Sequence, residues 1–292
     1  MLKRSAALLA VLFALASAPA ALAQLQTPIP SPNATVAQTI GVTRVEVVYS
    51  RPHVKGATRK EDRVIWGALV PYDKVWRTGA NSVTKITFDG DVTVEGQKLA
   101  AGSYGLFTIP GKTEWTVIFN KQATGSPADY KAENDVLRVK VTPQATDMHE
   151  LFTIGFPQVT SNSAVLALRW EKLSVFVNLA VDTHAQFLSN AKEAVAKAKP
   201  DDWRTPLTAA RYLYENKYAL NDAAAFLDKS LAVKETFANL STKADVLADG
   251  GKKKEAQAAA QKALSLKDAE PKPSAESVAE LEKKLAAWKA AK

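Results

Sequence analysis

Residues 84–94 read TKITFDGDVTV, and this short stretch decides the class of fold. Ile86 and Phe88 alternate with polar residues, and Val92 and Val94 do the same. Between them Asp89-Gly90 suits a tight hairpin turn, because glycine accepts positive φ. Two period-two runs around a turn dipeptide predict antiparallel strands. The pattern extends in both directions. Thr43, Val45, Val47 and Tyr49 share one face, with Arg44 and Glu46 on the other. Further runs follow at 103–109, 115–119, 136–141, 151–156, 164–170 and 173–181. About ten strands within 34–181, with no helical pattern between them, predict an antiparallel β-sandwich. A closed barrel buries the same faces and stands as the alternative.

After Val181 the composition turns to Ala, Lys, Leu and Glu, and residues 182–292 read as an all-α tail with Asp182 placed to cap its first helix. Tyr214 aligns with Leu247, Ala223 with Ala256, Ser230 with Ala263 and Leu231 with Leu264, each pair 33 residues apart. That offset, with small residues where helices cross, resembles tetratricopeptide repeats, whose helix pairs stack to share a buried face. Arg211 and Lys243 stand at or near positions usually apolar or small, and a plain helical bundle is the alternative. Gly250-Gly251 falls at a turn of the repeat, and helices over 183–199 and 274–290 are expected to cap the stack.

Residues 1–23 have the form of a secretory signal: Lys3 and Arg4, an apolar run from Ala6 to Leu15, and Ala21-Leu22-Ala23 at the cleavage position. Residues 24–33 then read as a linker. The apolar run is too short to span a bilayer, so the expectation is cleavage before Gln24 and a periplasmic or secreted protein with no transmembrane anchor. The chain has no cysteine, which excludes disulfides and Cys-ligated metal. Its net charge is +8, of which Lys3 and Arg4 supply two. Only Lys252-Lys253-Lys254 forms a basic run, at an expected turn, so nucleic acid is not an expected partner.

Chemistry is harder to find. His53, His149 and His184 fall in different elements, so neither a metal nor another cofactor is expected. Asp89 and Asp91 lack the further oxygen ligands of a calcium loop. Ser50 or Ser82 with His53 and Asp73 are the residue types of a hydrolytic triad but carry no local signature. Asp62 and Asp73 flank Trp66, Tyr72 and Trp76, as a glycoside hydrolase would require of paired carboxylates. The irregular segment from Ser50 to Asn81 is the candidate surface. In it Tyr72 and Trp76 offer flat apolar faces, and Arg51, Arg77 and Asn81 offer hydrogen-bond donors to a small-molecule ligand. Equally, the tryptophans can plug one end of the sandwich while the arginines satisfy buried carbonyls.

The same residues carry a resemblance. Ser50-Arg51-Pro52, Lys55-Gly56, Leu69-Val70-Pro71-Tyr72, the run from Val75 to Asn81, Gly102, Tyr104, the run from Leu106 to Pro110 and the run from Glu114 to Asn120 are similar to a bacterial family known as "domain of unknown function 2911", over about residues 30–181. The resemblance implies an exported, β-rich protein and brings no activity or catalytic residue. Charged residues around Arg59 to Arg63 lengthen this chain relative to the family pattern. Together these readings lead to an exported, non-enzymatic binding or envelope-associated protein that docks another envelope protein through its helical tail. A carbohydrate-active or other hydrolytic enzyme with a site in the 50–81 region is the alternative.

Overall fold

The computed structural model describes residues 27–55 and 62–290. The signal-like segment and residues 56–61 of the charged loop lie outside the described residues. Two antiparallel sheets face each other. Strands β1 (Asn33–Ile40), β2 (Thr43–Ser50), β3 (Thr84–Phe88), β6 (Gly102–Ile109), β7 (Trp115–Asn120) and β8 (Asp135–Val141) form a six-stranded sheet in the order β1-β2-β3-β6-β7-β8. Strands β4 (Val92–Val94), β5 (Gln97–Leu99), β9 (Gln144–Val159) and β10 (Ser163–Ala180) form a second sheet in the order β5-β4-β10-β9. The sheets keep separate edges, so this is a sandwich and no barrel closes. Its core interleaves Val45, Val47, Ile86, Phe88, Leu106 and Phe119 from one sheet with Val94, Ile154, Leu166, Leu168 and Val177 from the other.

The expected hairpin at Asp89-Gly90 is not one. β3 pairs with β2 and β6, whereas β4 pairs with β5 and β10, so residues 89–91 carry the chain from one sheet to the other. Asp89 fixes the exit from β3: its carboxylate accepts from Arg44 N at 2.7 Å and its own N–H donates to Arg44 O at 3.2 Å. Asp91 fixes the entry to β4 by accepting from Ala101 N at 2.9 Å. The tight turn comes one element later, where Glu95 (φ 47°) and Gly96 (φ 77°) join β4 to β5 with both central residues left-handed, as two-residue hairpins require.

A second difference concerns β10. The runs 164–170 and 173–181 look separate because their alternation changes phase: Ala164, Leu166, Leu168 and Trp170 point inward, then Val175, Val177 and Leu179. One strand carries both. An irregularity around Glu171, at φ 53°, shifts the register against β9 and swaps the parity of the inward face. β9 is also longer than its apolar core, because residues 144–150 pair with β10 while staying largely exposed.

The tail holds α1 (Thr183–Lys197), α2 (Arg204–Glu215), α3 (Leu220–Val233), α4 (Phe237–Asp249), α5 (Lys253–Ser265) and α6 (Ala275–Ala290). Asp182 caps α1 by accepting from Ala185 N at 2.9 Å. From α2 to α4 and from α3 to α5 the helix starts advance by 33 residues, the offset that the sequence shows against itself. Gly251, at φ 75°, turns the chain between α4 and α5. Around Asn239, which is wholly buried, a polar network ties this stack together. Its amide donates to Ser230 Oγ (3.0 Å) and Lys234 O (2.8 Å), its carbonyl accepts from Thr236 N (2.8 Å), and Ser230 Oγ donates to Trp203 O (2.8 Å).

Helix α1 docks on the sandwich at the crossover. Gln186 Nε2 donates to Asp91 O at 2.6 Å, its Oε1 accepts from the Thr43 hydroxyl, and Thr183 Oγ1 donates to Ser161 O at 2.9 Å. Gly90 is needed here for space rather than for turn geometry: its φ is not left-handed, and a Cβ would lie 2.8 Å from Gln186 Nε2.

Candidate functional site

The segment 66–81 folds down over an aromatic hub. Trp66 lies within 6.0 Å, centroid to centroid, of Trp76, Trp115 and Trp170, each meeting it edge to face. Trp76 stacks on Trp170 at 5.8 Å and meets Phe152 at 5.2 Å. Backbone bonds pin the segment to β6: Trp76 N donates to Thr108 O at 2.7 Å, and Thr108 N donates back to Trp76 O at 2.9 Å. Trp76 Nε1 donates to Gly79 O at 3.1 Å. The indole N–H groups of Trp66, Trp115 and Trp170 are buried and find no hydrogen-bond acceptor among the described residues.

The other candidates separate around this hub. Arg51 is turned to the second sheet, donating from Nε to Phe152 O at 3.0 Å and from a terminal nitrogen to Thr153 Oγ1 at 2.7 Å. Asn81, at φ 56°, donates to Ser31 O (3.1 Å) and Ser50 Oγ (3.2 Å), which ties the entry of β1 to the end of β2. Tyr72 packs over Gly67, with Lys112 at 6.0 Å from its ring centroid, and remains half-exposed. Arg77 is half-buried, and its Nε finds no acceptor among the described residues.

The triad types do not bond one another. Ser50 Oγ donates to Asn33 Oδ1 at 2.8 Å, His53 faces Glu150 at 3.8 Å, and Ser82 is exposed. Asp73 sits at φ 58° over the turn after β6, its N–H donating to Pro110 O at 2.8 Å. Asp62 is exposed beside Arg63, whose guanidinium bonds Val54 O and His53 O. These serine, histidine and aspartate side chains thus share no hydrogen bond with one another among the described residues. Among the described residues, no three His, Asp or Glu side chains form a group suited to hold a metal ion.

Residues 31–179 match the family described as "Protein of unknown function (DUF2911)". The chain belongs to that family. The match ends at the last residues of β10, so the family's domain is the sandwich with its tryptophan hub, and the helical tail lies beyond it. A search of curated proteins found no match.

Beyond the family's domain the tail holds a groove of about 350 Å³ between α2, α4 and α6. Phe237 and Leu281 floor it, and Arg211, Glu215, Ser241, Asp245, Ser277 and Glu280 stand on its walls and rim. Arg211, the residue that departs from an apolar repeat position, crosses to α4 and donates to Thr242 Oγ1 (2.9 Å) and Ala238 O (3.0 Å). Lys284 bridges Asp245 at 3.1 Å and Glu280 at 3.0 Å. Burial works against its charge, but those two bonds outweigh it and raise its pKa. At the groove's end Tyr214 donates to Asp249 at 2.7 Å and Lys217 reaches the same carboxylate at 2.9 Å. Burial first, then the bond to Asp249, pushes the Tyr214 phenol up, while Lys217 and then Tyr214 hold Asp249 below its ordinary range. The sequence signal for this groove is a polar row at helical spacing, Ser277, Glu280 and Lys284 on one helix and Ser241 and Asp245 on another.

A larger cleft of about 1080 Å³ lies between the crossover and α1, with Asp91, Lys98, Asp182, Gln186 and Asn190 among its lining. No helix among the described residues is long and apolar enough to cross a membrane.

Proposed function

We propose that the chain is an exported, non-enzymatic binding protein that docks another envelope protein through the groove of its helical tail. The observation that carries this reading is the groove itself, built from three helices that are not consecutive in the chain. Stacked helix pairs create concave surfaces of this kind, to which each repeat contributes one helix. The polar rim and apolar floor follow the usual division of a protein-binding surface into wet edge and dry centre. The signal-like segment supports export, and the sandwich then serves as the rigid body on which α1 seats the tail.

The test places a photo-crosslinking residue at Ser277 on the groove rim, and separately at Lys253 on the exposed start of α5, in cells that export the chain. A discrete envelope-protein adduct is expected from position 277 and not from 253, and Glu280→Lys should abolish it. Identical adducts from both positions, or none, would overturn the reading.

Arg77 favours a second function on the sandwich. Its half-buried guanidinium, whose Nε finds no acceptor among the described residues, suits an anionic or hydroxyl-bearing small molecule, with Tyr72 as an apolar platform. A carboxylate or sugar that raises the melting midpoint of the wild type but not of Arg77→Ala would support this reading. Midpoints raised equally in both proteins, or in neither, by carboxylates and sugars would remove it.

A further inference from the structure

A sheet edge is a row of unpaired N–H and C=O groups, and proteins blunt edges with short strands, charges, proline, bulges or a covering segment. This sandwich has four edges. β5 is three residues long. β8 carries Arg138 and Lys140, paired with Asp135 at 2.6 Å and Glu114 at 2.8 Å. β9 carries Asp147 and Glu150 and is partly covered, since Phe152 N donates to Pro52 O at 2.9 Å and Val54 N to Glu150 O at 2.8 Å. β1, NATVAQTI, has no charge, proline or bulge, and among the described residues no segment hydrogen-bonds along its free edge. It is eight residues long, uncharged, free of proline, and paired to β2 without a register shift.

The phase of its ladder follows from one bond. Arg51 N donates to Pro32 O at 2.9 Å, which extends the β1–β2 pairing one residue past Asn33 and Ser50. Hydrogen-bonded pairs alternate along an antiparallel ladder. Ala34, Val36, Gln38 and Ile40 therefore turn their backbone groups to β2, while Thr35, Ala37 and Thr39 turn theirs to the free edge. All three are exposed. Among the described residues no backbone hydrogen bond reaches this edge, and the Thr39 carbonyl accepts instead from the Gln38 side chain at 2.9 Å.

We propose that β1 is a dimerisation edge, occupied by β1 of a second copy of this chain running antiparallel about a two-fold axis at Ala37. That register sets Ala37 against Ala37 of the partner subunit and Thr35 against Thr39 of the partner subunit, so all three free-edge residues form hydrogen-bonded pairs. Opposed residues of an antiparallel pair share a face, so Val36 meets Gln38 of the partner subunit on the inner side. The contact is isologous, the same patch used twice, which is the commonest symmetry of homo-oligomers. Threonine pairs across strands are favourable, and no like charges oppose each other. A charged foreign strand would find no countercharge here, whereas the row is complementary to itself. The proposal is independent of the tail groove.

Sedimentation of residues 24–292 over a concentration series tests it, together with Ala37→Pro and Ala37→Lys. Proline at 37 removes an N–H that faces away from β2, so the fold is retained, as circular dichroism would verify. The wild type should dimerise, with Thr35, Ala37 and Thr39 amides gaining exchange protection as concentration rises. Ala37→Pro removes two symmetry-related bonds and should weaken the dimer by about tenfold or more. Ala37→Lys, which places two lysines face to face, should weaken it without touching the ladder. A wild-type monomer at every concentration, or a dimer that both variants leave intact, would overturn the proposal.

Discussion

Replacing Trp76 with alanine tests whether segment 66–81 is held to the sandwich by its aromatic hub. The indole contacts Trp66, Trp170 and Phe152 at 6.0, 5.8 and 5.2 Å and donates to Gly79 O, and its backbone is fixed to Thr108. Truncation of a buried tryptophan costs about 3–5 kcal/mol. Trp76 is half-exposed, so the lower end, about 3 kcal/mol, is the expected loss. At roughly 2–4 °C per kcal/mol for a unit of this size, the sandwich should melt about 6–12 °C lower. Near-ultraviolet circular dichroism is the assay, because packed indoles dominate that signal and four of the six tryptophans, Trp66, Trp76, Trp115 and Trp170, meet in the hub. Trp76→Phe keeps a ring against Trp170 and should recover more than half of the loss. A Trp76→Ala variant melting within about 2 °C of the wild type would refute the reasoning, since the indole contacts would then contribute less than about 1 kcal/mol.

In the tail, Asn239→Ala strips partners from Ser230, Lys234 O and Thr236 N in a buried network, and a loss of about 2–3 kcal/mol by urea titration is expected. At the seam, Gly41→Ala should be worse than Gly90→Ala. Gly41 is left-handed at φ 59° and a Cβ there would meet Thr183 and the Ser161 carbonyl, a strain of about 1–3 kcal/mol in thermal melts, whereas Gly90 is not left-handed and its Cβ would displace only the end of the Gln186 side chain, with loss of that side chain's bonds to Asp91 and Thr43. The raised pKa of Tyr214 has an alkaline consequence. The phenol is protonated longer in the folded state than in the unfolded chain, so its contribution is complete below the ordinary value of 10.0 and is lost as pH rises beyond it. Urea midpoints should therefore fall above pH 10, and Tyr214→Phe should make that fall shallower.

Much of this was legible because it is local. Alternation at 43–49, 103–109 and 115–119 marked strands that the structure contains, and the offset of 33 anticipated the spacing of two helix pairs. The sequence could also nominate Trp66 and Trp76 as a plug. What it could not reveal is that Arg51 and Asn81 turn their donors toward protein carbonyls and hydroxyls, or that the Asp73 N–H is taken up by Pro110 O. Those outcomes depend on which strand passes beneath the loop.

The amino-acid sequence by itself determined most of the strands, though not β1 or β5, the helical character of the tail and its repeat length, since period and capping act over a few residues. Only the tertiary structure decided that 89–91 is a crossover, that Glu171 shifts the phase of one long strand, that Gly90 makes room for Gln186, and that β1 is left as an uncharged edge. Each of these is a pairing between segments far apart in the chain. Alternation says which face of a strand is apolar but not which sheet receives it, because any neighbouring strand can satisfy the same backbone groups. The choice is made by the burial that the whole fold achieves at once.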